Sequence, residues 1–337
     1  MKIFVTGGAG FIGSHTVVEL ISSGYTPIII DNLSHSHENV ISNIEKIVKQ
    51  KVIFCKEDCT DKKKMDALFA HYRPQGVIHF SAFKSVSESV DKPLLYWKNN
   101  IDSLLTILEM AQKYQTKFFV FSSSATVYGD PEKLPLKETT PRKASTNAYG
   151  ATKQAGEDIV QTTCLAPLSK IKGISLRYFN PIGAHASNLI GELPLGTPQN
   201  LIPFITQTAV GLREKLTVFG NTYPTPDGTC LRDYIHVLDL ARAHIFALKY
   251  LEKNDSPSYD IYNIGTGKPS SVLEVIQTFE EISGVSLPYS IGPKRQGDIA
   301  NCYAEVSKAK RNLGWQAEFS LKQALSDAWK WQQSLKY

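Results

Sequence analysis

The sequence predicts an α/β fold in which a Rossmann-type, doubly wound parallel sheet is joined to a smaller mixed α/β domain. Three observations predict it. Six short apolar runs alternate with helix-length segments in the first half of the 337-residue chain, a glycine-rich turn follows the first run directly, and the pattern loosens after about residue 180 into a stretch rich in Gly, Pro and Asn. Strands that alternate with helices indicate βαβ units, in which helices cover both faces of a parallel sheet.

The individual elements follow in chain order. Six apolar runs are typical of buried strands: "KIFVTGG", "TPIIIDN", "KVIFCKED", "GVIHFSA", "KFFVFSSS" and "ISLRYFN". Further along, "HVLDLARAHIFALKYL" predicts an amphipathic helix, and "YDIYNIG" predicts a buried strand that returns to the sheet. We therefore expect residues 1–180 to form the first domain together with a returning segment at about 236–265, and residues 181–337 to form mainly the second domain.

Composition narrows the functional classes. A content of 42% apolar residues suits a folded core, and 37 basic against 32 acidic residues give a net charge of +5 that is spread along the chain. This weak positive balance favours a small anionic ligand and argues against a nucleic-acid-binding surface. The five cysteines form no CxxC pair, so neither a disulfide framework nor a metal site is expected. A signal-peptide pattern and an apolar run of about 18 residues are both missing, which predicts a cytoplasmic protein without a membrane span.

The glycine-rich turn predicts a dinucleotide site. Gly7, Gly10 and Gly13 follow the first strand directly and open a helix over about residues 11–22. Glycines permit the tight turn and let backbone N–H groups approach a pyrophosphate at the helix N-terminus. Asp31 stands 18 residues after Gly13 at the end of the second strand. A carboxylate there accepts hydrogen bonds from a ribose 2′-hydroxyl and repels a 2′-phosphate, which favours NAD over NADP.

The fifth strand ends in three serines, although the preceding residues of this strand are apolar and are expected to be buried in the core. Ser122, Ser123 and Ser124 lie at the carboxyl end of that strand. Ligands of open α/β sheets bind beyond the carboxyl ends of the strands. We therefore expect these three hydroxyls to face a ligand site.

A tyrosine and a lysine follow about 20 residues later in "NAYGATKQAGED". Thr146 or Asn147 is a plausible N-cap of the helix that begins there, which places Tyr149 and Lys153 one turn apart on the same face. A free tyrosine has a pKa of about 10, so a tyrosine base that works near pH 7 needs its anion stabilised by roughly 4 kcal/mol. The lysine and an oxidised nicotinamide ring together are expected to supply that stabilisation.

These motifs resemble a known family. "TGGAGFIG", "SSSATVYG" and "YGATK" are similar to the extended short-chain dehydrogenases/reductases. Within that family, "DNLSHS", "HFSAFKSVSESV", "LRYFNPIGAH", "NLIPF", "DGTCLRDYIHVLDLA" and "KRQGDIANCYAEVSKA" resemble the UDP-galactose 4-epimerases. The resemblance implies an isomerase that binds NAD in the first domain and a UDP-sugar mainly in the second.

The resemblance also implies a mechanism and a set of site residues. Tyr149 would take the proton of the sugar 4-hydroxyl while the C4 hydride passes to NAD, Ser124 would bind the same oxygen, and Lys153 would hold the ribose and lower the pKa of Tyr149. The 4-keto sugar would then turn over about its diphosphate and regain the hydride on its other face. The implied cofactor-binding residues are Gly7, Gly10, Phe11, Ile12, Gly13, Asp31, Asn32, Asp58, Phe80, Lys84, Asn99, Tyr149, Lys153 and Tyr178. The implied substrate-binding residues are Ser124, Tyr149, Asn180, Asn200, Leu201, Phe219, Arg232, Arg295, Asp298 and Cys302.

Neighbouring activities are weighed at the same site. Sugar-nucleotide dehydratases and UDP-glucuronate decarboxylases resemble this chain but carry carboxylates just before "VYG", where this chain has Ala125 and Thr126. Dehydration and decarboxylation are therefore disfavoured. A UDP-glucuronate 4-epimerase stays open as an alternative, although no additional cation for a sugar carboxylate stands out. A noncatalytic NAD-sensing protein is a further alternative, which the intact Ser124, Tyr149 and Lys153 argue against.

One departure from the family pattern concerns the sugar. Epimerases restricted to glucose and galactose typically have a tyrosine where "RQGDIANCY" places Cys302. The smaller side chain predicts that UDP-GlcNAc and UDP-GalNAc are also accepted, unless Tyr303 fills the space. Two helical segments, at about 94–113 and 148–163, resemble those that pair across the dimer interface in the family, which predicts a homodimer.

Overall fold

A computed structural model describes residues 1–254, 259–295 and 298–335. The strands are β1 Lys2–Thr6, β2 Thr26–Ile30, β3 Ile53–Cys55, β4 Gly76–His79, β5 Phe118–Ser124, β6 Lys172–Tyr178, β7 Asn180–Ile182, β8 Leu216–Phe219, β9 Leu231–His236, β10 Tyr259–Ile264, β11 Pro269–Ser271, β12 Tyr289–Gly292 and β13 Asn301–Cys302. The α-helices are α1 Phe11–Ser22, α2 Asn39–Val48, α3 Lys62–Tyr72, α4 Val86–Asp91, α5 Pro93–Lys113, α6 Ala148–Leu165, α7 Leu201–Ala209, α8 Val237–Lys253, α9 Val272–Ser283 and α10 Leu321–Ser334. A 3₁₀ turn spans Ala125–Tyr128, and a π-turn spans Ala309–Leu313.

The central sheet confirms the predicted fold class. Its seven strands run in the order β10-β6-β5-β4-β1-β2-β3, and every pair is parallel. All six strands predicted in the first half of the chain belong to this sheet, and β10 is the predicted returning strand. Because the strands are buried on both faces, each can be apolar throughout, as the sequence runs are.

Helices cover both faces of this sheet. Within β1, Ile3 and Val5 pack in the core beneath α1 and α8, whereas Phe4 packs in the opposite core beneath α3, α5 and α6. This division follows from the two-residue period of a strand, which sends successive side chains to opposite faces. The sheet is therefore covered on both faces, and its carboxyl edge is the part left open for a ligand.

The remaining elements form smaller sheets at that edge. β9 lies between β11 and β13 and also pairs with β7, while β8 pairs with β12. Helices α7, α9 and α10 share an apolar core with these strands. α8 packs against α1, and β10 pairs with β6, so the returning segment contacts the central sheet where it is described; residues 255–258 lie outside the description. The division into two domains at residue 180 stays a prediction.

No helix within residues 1–254, 259–295 and 298–335 is long and apolar enough to cross a membrane.

Candidate active site

A cavity of about 900 Å³ lies at the carboxyl ends of the central strands. It brings together most residues that the sequence analysis selected. Those that line it are Gly7, Gly10, Phe11, Ile12, Gly13, Asp31, Asn32, Asp58, Phe80, Lys84, Asn99, Ser124, Tyr149, Lys153, Tyr178, Asn180 and Asn200. The strand order explains this convergence, because the parallel β1, β2, β4, β5 and β6 all end at the same edge.

The glycine turn is shaped by close backbone contacts. Gly7 has a φ of +68°, which a glycine adopts without strain. A Cβ atom on Gly13 would lie 2.3 Å from the carbonyl oxygen of Gly7, so no other residue fits this position without a backbone shift. Helix α1 begins at Phe11, and no side chain in the described chain caps its N-terminus. Phe11, Ile12 and Gly13 of its first turn line the cavity, so the free N–H groups at this helix N-terminus can bind an anion there.

Asp31 lies at the end of β2 and is only 8% exposed. Its Oδ2 accepts a hydrogen bond from Ala9 N (3.0 Å), and its Oδ1 accepts from Leu33 N (2.8 Å) and Ser36 Oγ (3.0 Å). A carboxylate has about four acceptor positions, so one remains for a ribose hydroxyl. These bonds orient the carboxylate in advance.

The next loops contribute a second acidic contact. Asp58 Oδ2 accepts from Asn32 Nδ2 at 2.9 Å, and both side chains line the cavity next to Asp31. Asn32 and Asp58, two of the predicted cofactor-binding residues, are thus joined to each other, although they lie 26 positions apart in the chain.

The start of α6 presents Tyr149 and Lys153. Of the two predicted N-caps, Asn147 is the cap: its side chain accepts from Gly150 N at 2.8 Å. One turn after Tyr149, Lys153 Nζ donates to the carbonyl oxygen of Ser122 at 2.5 Å and lies 5.9 Å from the centre of the Tyr149 ring. The cap and the strand-end carbonyl therefore hold both side chains at the cavity wall.

Burial acts on the pKa of both groups. It raises the pKa of Tyr149, and a hydrogen bond with Ser124 only partly opposes this rise. Burial also lowers the pKa of Lys153 to about 7, against the attraction of Glu157. In the chain alone, desolvation of the phenolate is the largest effect on the pKa of Tyr149, and the lowering of this pKa by Lys153 stays a prediction.

The prediction for the three serines at the end of β5 is wrong for one of them. Ser122 and Ser124 line the cavity, as expected, but Ser123 does not. Ser123 is 1% exposed and donates to Glu157 Oε1 at 2.6 Å on the other face of the sheet. Alternation of side chains along β5 makes this unavoidable. Glu157 also forms a buried ion pair with Arg177, whose Nη2 lies 2.7 Å from Glu157 Oε2.

Six predicted substrate residues lie outside the cavity lining. They are Leu201, Phe219, Arg232, Arg295, Asp298 and Cys302. Among them, Asp298 lies 3.2 Å from Arg295 Nε and 3.9 Å from Arg232 Nη2, and the Arg295 guanidinium stands 4.5 Å above the Phe219 ring. Cys302 is paired with Arg232 in the β13–β9 register. Five of the six thus form one contiguous cluster, whose charges Asp298 partly neutralises.

Sequence reasoning missed Glu192. Its Oε1 accepts from Lys84 Nζ at 3.0 Å and from Asn200 Nδ2 at 2.6 Å, so one carboxylate joins a predicted cofactor residue to a predicted substrate residue. Lys84 and Glu192 are 108 positions apart, so no local pattern could have found the pair. Glu157, by contrast, stands four residues after Lys153, a helical spacing that could have indicated it.

The fold, the glycine turn and the Tyr149–Lys153 pair together define an extended short-chain dehydrogenase/reductase. A family model described as GDP-mannose 4,6 dehydratase matches residues 4–328. The UDP-glucose 4-epimerase of Bacillus subtilis (strain 168) is 48% identical over 334 residues, which cover 99% of this chain and 97% of that relative.

Solved structures agree. The UDP-glucose 4-epimerase of Stenotrophomonas maltophila, crystallised with NAD and formylated UDP-arabinopyranose, is 45% identical with a TM-score of 0.96, covering 99% of this chain and 98% of that one. The enzyme of Bifidobacterium longum, in complex with NAD+ and UDP, is 44% identical with a TM-score of 0.95 and the same coverage. The chain therefore belongs to the protein family whose model is described as GDP-mannose 4,6 dehydratase, and within that family it belongs to the UDP-glucose 4-epimerases.

Proposed function

We propose that this chain interconverts UDP-glucose and UDP-galactose by inversion at C4, with NAD as its resident cofactor. The observation that carries the proposal is the meeting of the glycine turn, Asp31, Ser124, Tyr149 and Lys153 around one cavity. The relatives and solved structures named above are UDP-glucose 4-epimerases, and both of those structures contain NAD.

The residues present fit NAD. The uncapped N-terminus of α1 suits a pyrophosphate, the space beside Gly13 is too small for a Cβ, and Asp31 retains an acceptor position for a ribose hydroxyl. Lys84, Asn99 and Tyr178 would complete the cofactor side of the cavity. When bound, NAD supplies the acceptor and later the donor of the C4 hydride.

The chain's own residues move and hold the proton. Tyr149 accepts the proton of the sugar 4-hydroxyl and returns it after the ring has turned over. Ser124 Oγ accepts from Thr126 N at 3.2 Å, so its hydroxyl hydrogen can be donated to Tyr149 in the chain alone and to the sugar 4-oxygen when the substrate is bound. Lys153 is anchored on the Ser122 carbonyl, and its protonated form favours the phenolate by its charge.

Because the pKa of Tyr149 is raised, the proposed base also needs the positive charge of the oxidised cofactor. Burial in the chain alone holds the proton on Tyr149. An added positive charge close to the ring favours the phenolate, and it must offset more than the roughly 4 kcal/mol that a tyrosine with the ordinary pKa would need to act as a base near pH 7. The base is therefore expected to form only when the cofactor is bound.

The UDP moiety would occupy the cluster that includes Arg232 and Arg295. Guanidinium groups bind phosphate oxygens through paired hydrogen bonds. The carboxylate of Asp298 lies within 3.9 Å of both arginines and would hold them in place for the UDP phosphates. Asn180, Asn200, Leu201 and Phe219 would complete this site.

The absence of carboxylates next to Ser124 separates this proposal from dehydration. Ala125 and Thr126 begin the 3₁₀ turn after β5, at the positions where the dehydratases have an acidic pair. Neither side chain can protonate a leaving hydroxyl near pH 7.

Proton NMR of UDP-galactose tests the proposal. The purified protein, without added NAD, should convert UDP-galactose to a mixture with UDP-glucose. Tyr149→Phe should abolish this conversion while the protein stays folded. If the wild-type protein inverts neither sugar even after NAD is restored, the proposed reaction is wrong, and UDP-glucuronate becomes the next substrate to assay.

We also propose that N-acetylated UDP-sugars are substrates. Cys302 packs against an apolar cluster that includes Phe179, and Phe179 lines the cavity. A larger residue at 302 would press on that wall. Cys302→Tyr should abolish C4 inversion of UDP-GalNAc and spare that of UDP-galactose, whereas Cys302→Ser should retain both. Equal loss of both reactions in Cys302→Tyr would contradict this specificity argument.

A cytoplasmic homodimer completes the proposal. Leu94, Trp97 and Leu105 lie on one face of α5 and are 81%, 38% and 42% exposed. Exposed apolar side chains on one helical face support pairing with a second copy. Light scattering should give twice the chain mass of 37.4 kDa at micromolar concentration; a monomer mass there would rule the dimer out.

A further inference from the structure

The hydroxyl of Tyr178 and the imidazole of His244 form a buried pair at the cavity wall. Tyr178 ends β6, lines the cavity and is 6% exposed, while His244 lies within α8 and is fully buried. Tyr178 Oη lies 2.5 Å from His244 Nε2. The imidazole packs between Tyr178 and Phe80, with ring centroids 5.4 and 4.8 Å away. The sequence motifs selected Tyr178 but not His244.

The other nitrogen of the imidazole decides the direction of this hydrogen bond. His244 Nδ1 lies 2.8 Å from the carbonyl oxygen of Leu240, one helical turn earlier. A carbonyl oxygen only accepts, so Nδ1 carries the hydrogen. Burial lowers the pKa of His244 to about 4, so the ring is neutral near pH 7 and has no second hydrogen. Nε2 is therefore an acceptor, and Tyr178 must be the donor.

This direction determines what Tyr178 can offer to a ligand. A phenol has one hydroxyl hydrogen, and Tyr178 donates it in the hydrogen bond to His244, so only the lone pairs of the Tyr178 oxygen remain for a ligand. Burial raises the pKa of Tyr178, and a hydrogen bond from Ser122 opposes that rise, as a hydroxyl donor would. Toward the cavity, Tyr178 is thus an acceptor and cannot donate.

Tyr178 also lies at the reacting end of the cavity. In the β5–β6 register it is the direct partner of Ser124, and Tyr149 and Lys153 line the same cavity. If NAD binds as proposed above, its nicotinamide ring must reach this end. The hydrogen-bond donor that the nicotinamide carries there is its carboxamide N–H₂ group.

We propose that His244 is a positioning residue that fixes the Tyr178 hydroxyl as a hydrogen-bond acceptor for the carboxamide N–H₂ of the cofactor. The inference rests on the proposed NAD site. A residue of α8 that does not line the cavity would thus determine whether Tyr178 donates or accepts in its hydrogen bond with the cofactor.

Nitrogen-15 NMR of the histidine rings tests the polarity directly, without any activity measurement. In the holoenzyme, His244 should show the neutral Nδ1–H tautomer. His15 provides a matched signal, because its Nδ1 makes the same bond to the Phe11 carbonyl one turn earlier, at 2.7 Å. His236 provides the opposite one, because its Nδ1 accepts from Leu238 N at 3.0 Å. An Nε2–H tautomer at His244 would overturn the inference.

Cofactor affinity tests the consequence. His244→Phe removes the acceptor and should weaken NAD binding, measured by calorimetry on nucleotide-stripped protein, by about three- to tenfold, the worth of one neutral hydrogen bond. His244→Gln, whose amide oxygen can accept from Tyr178, should restore most of the affinity. Tyr178→Phe should match His244→Phe, and the double variant should be no weaker than either.

A cofactor analogue separates this effect from general damage. The 3-acetylpyridine analogue of NAD has a methyl group in place of the carboxamide N–H₂. His244→Phe should leave its affinity unchanged relative to wild type. Equal weakening of NAD and the analogue would overturn the inference, as would unchanged NAD affinity. If wild-type protein binds no NAD, the proposed function fails instead, and the tautomer still decides the polarity of the Tyr178–His244 bond.

Discussion

Replacing Glu157 with glutamine should destabilise the whole chain, although the side chain lies outside the cavity. Glu157 and Arg177 are 1% and 2% exposed. Glu157 Oε1 lies 2.8 Å from Arg177 Nε, and Oε2 lies 2.7 Å from Nη2. Ser123 Oγ donates to the same carboxylate at 2.6 Å. Glu157→Gln keeps the shape but leaves the guanidinium charge without its buried partner.

The expected magnitude follows from that burial. Removing one partner of a buried ion pair costs about 3–5 kcal/mol, against a total stability of about 5–15 kcal/mol for a folded domain. The free energy of unfolding of Glu157→Gln should therefore fall by about 3 kcal/mol or more. The loss also reaches the site, because Lys153 lies one turn before Glu157 and loses the charge that opposes the lowering of its pKa.

Urea unfolding at pH 7, followed by circular dichroism, measures this loss. Asp66→Asn is the control: Asp66 pairs with Lys113 on the surface, and an exposed pair contributes about 0–1 kcal/mol. The double variant Glu157→Gln/Arg177→Met should be more stable than Glu157→Gln alone, because no buried charge remains unpaired. A loss for Glu157→Gln no larger than that for Asp66→Asn would refute the reasoning.

Three further outcomes are expected. Gly13→Ala should lose bound NAD, measured from the nucleotide released on denaturation, since its Cβ would lie 2.3 Å from a backbone carbonyl of the turn; full retention would contradict this. Asp31→Ala should narrow the difference between the dissociation constants of NAD and NADP, because the carboxylate that repels a 2′-phosphate is gone. Burial lowers the pKa of His15, His79 and His244 to about 3, 3 and 4. Below about pH 6.5 the unfolded rings take up protons and the folded rings do not, so the free energy of unfolding should fall as the pH is lowered from about 6.5 toward 4. Near pH 5, where the unfolded chain binds about three more protons than the folded chain, this fall should be about 4 kcal/mol per pH unit. A urea midpoint that stays constant between about pH 7 and 5 would contradict this prediction.

The sequence by itself determined the elements whose signal is local. Strands of the central sheet are buried on both faces, so each is a continuous apolar run that can be recognised without its neighbours. The glycine spacing and the four-residue separation of Tyr149 and Lys153 are likewise short-range, because turn and helix geometry repeat over a few residues. For the same reason the edge at which the ligand binds could be predicted from strand direction alone.

Only the tertiary structure decided which groups meet across long separations and how deeply they are buried. Ser123 donates a hydrogen bond to Glu157 and does not line the cavity, Lys84 donates to Glu192, and Tyr178 donates to His244. Tyr149 likewise has a raised pKa in the chain alone. Hydrogen-bond partners and desolvation depend on packing between distant segments, and no pattern within one segment carries that information.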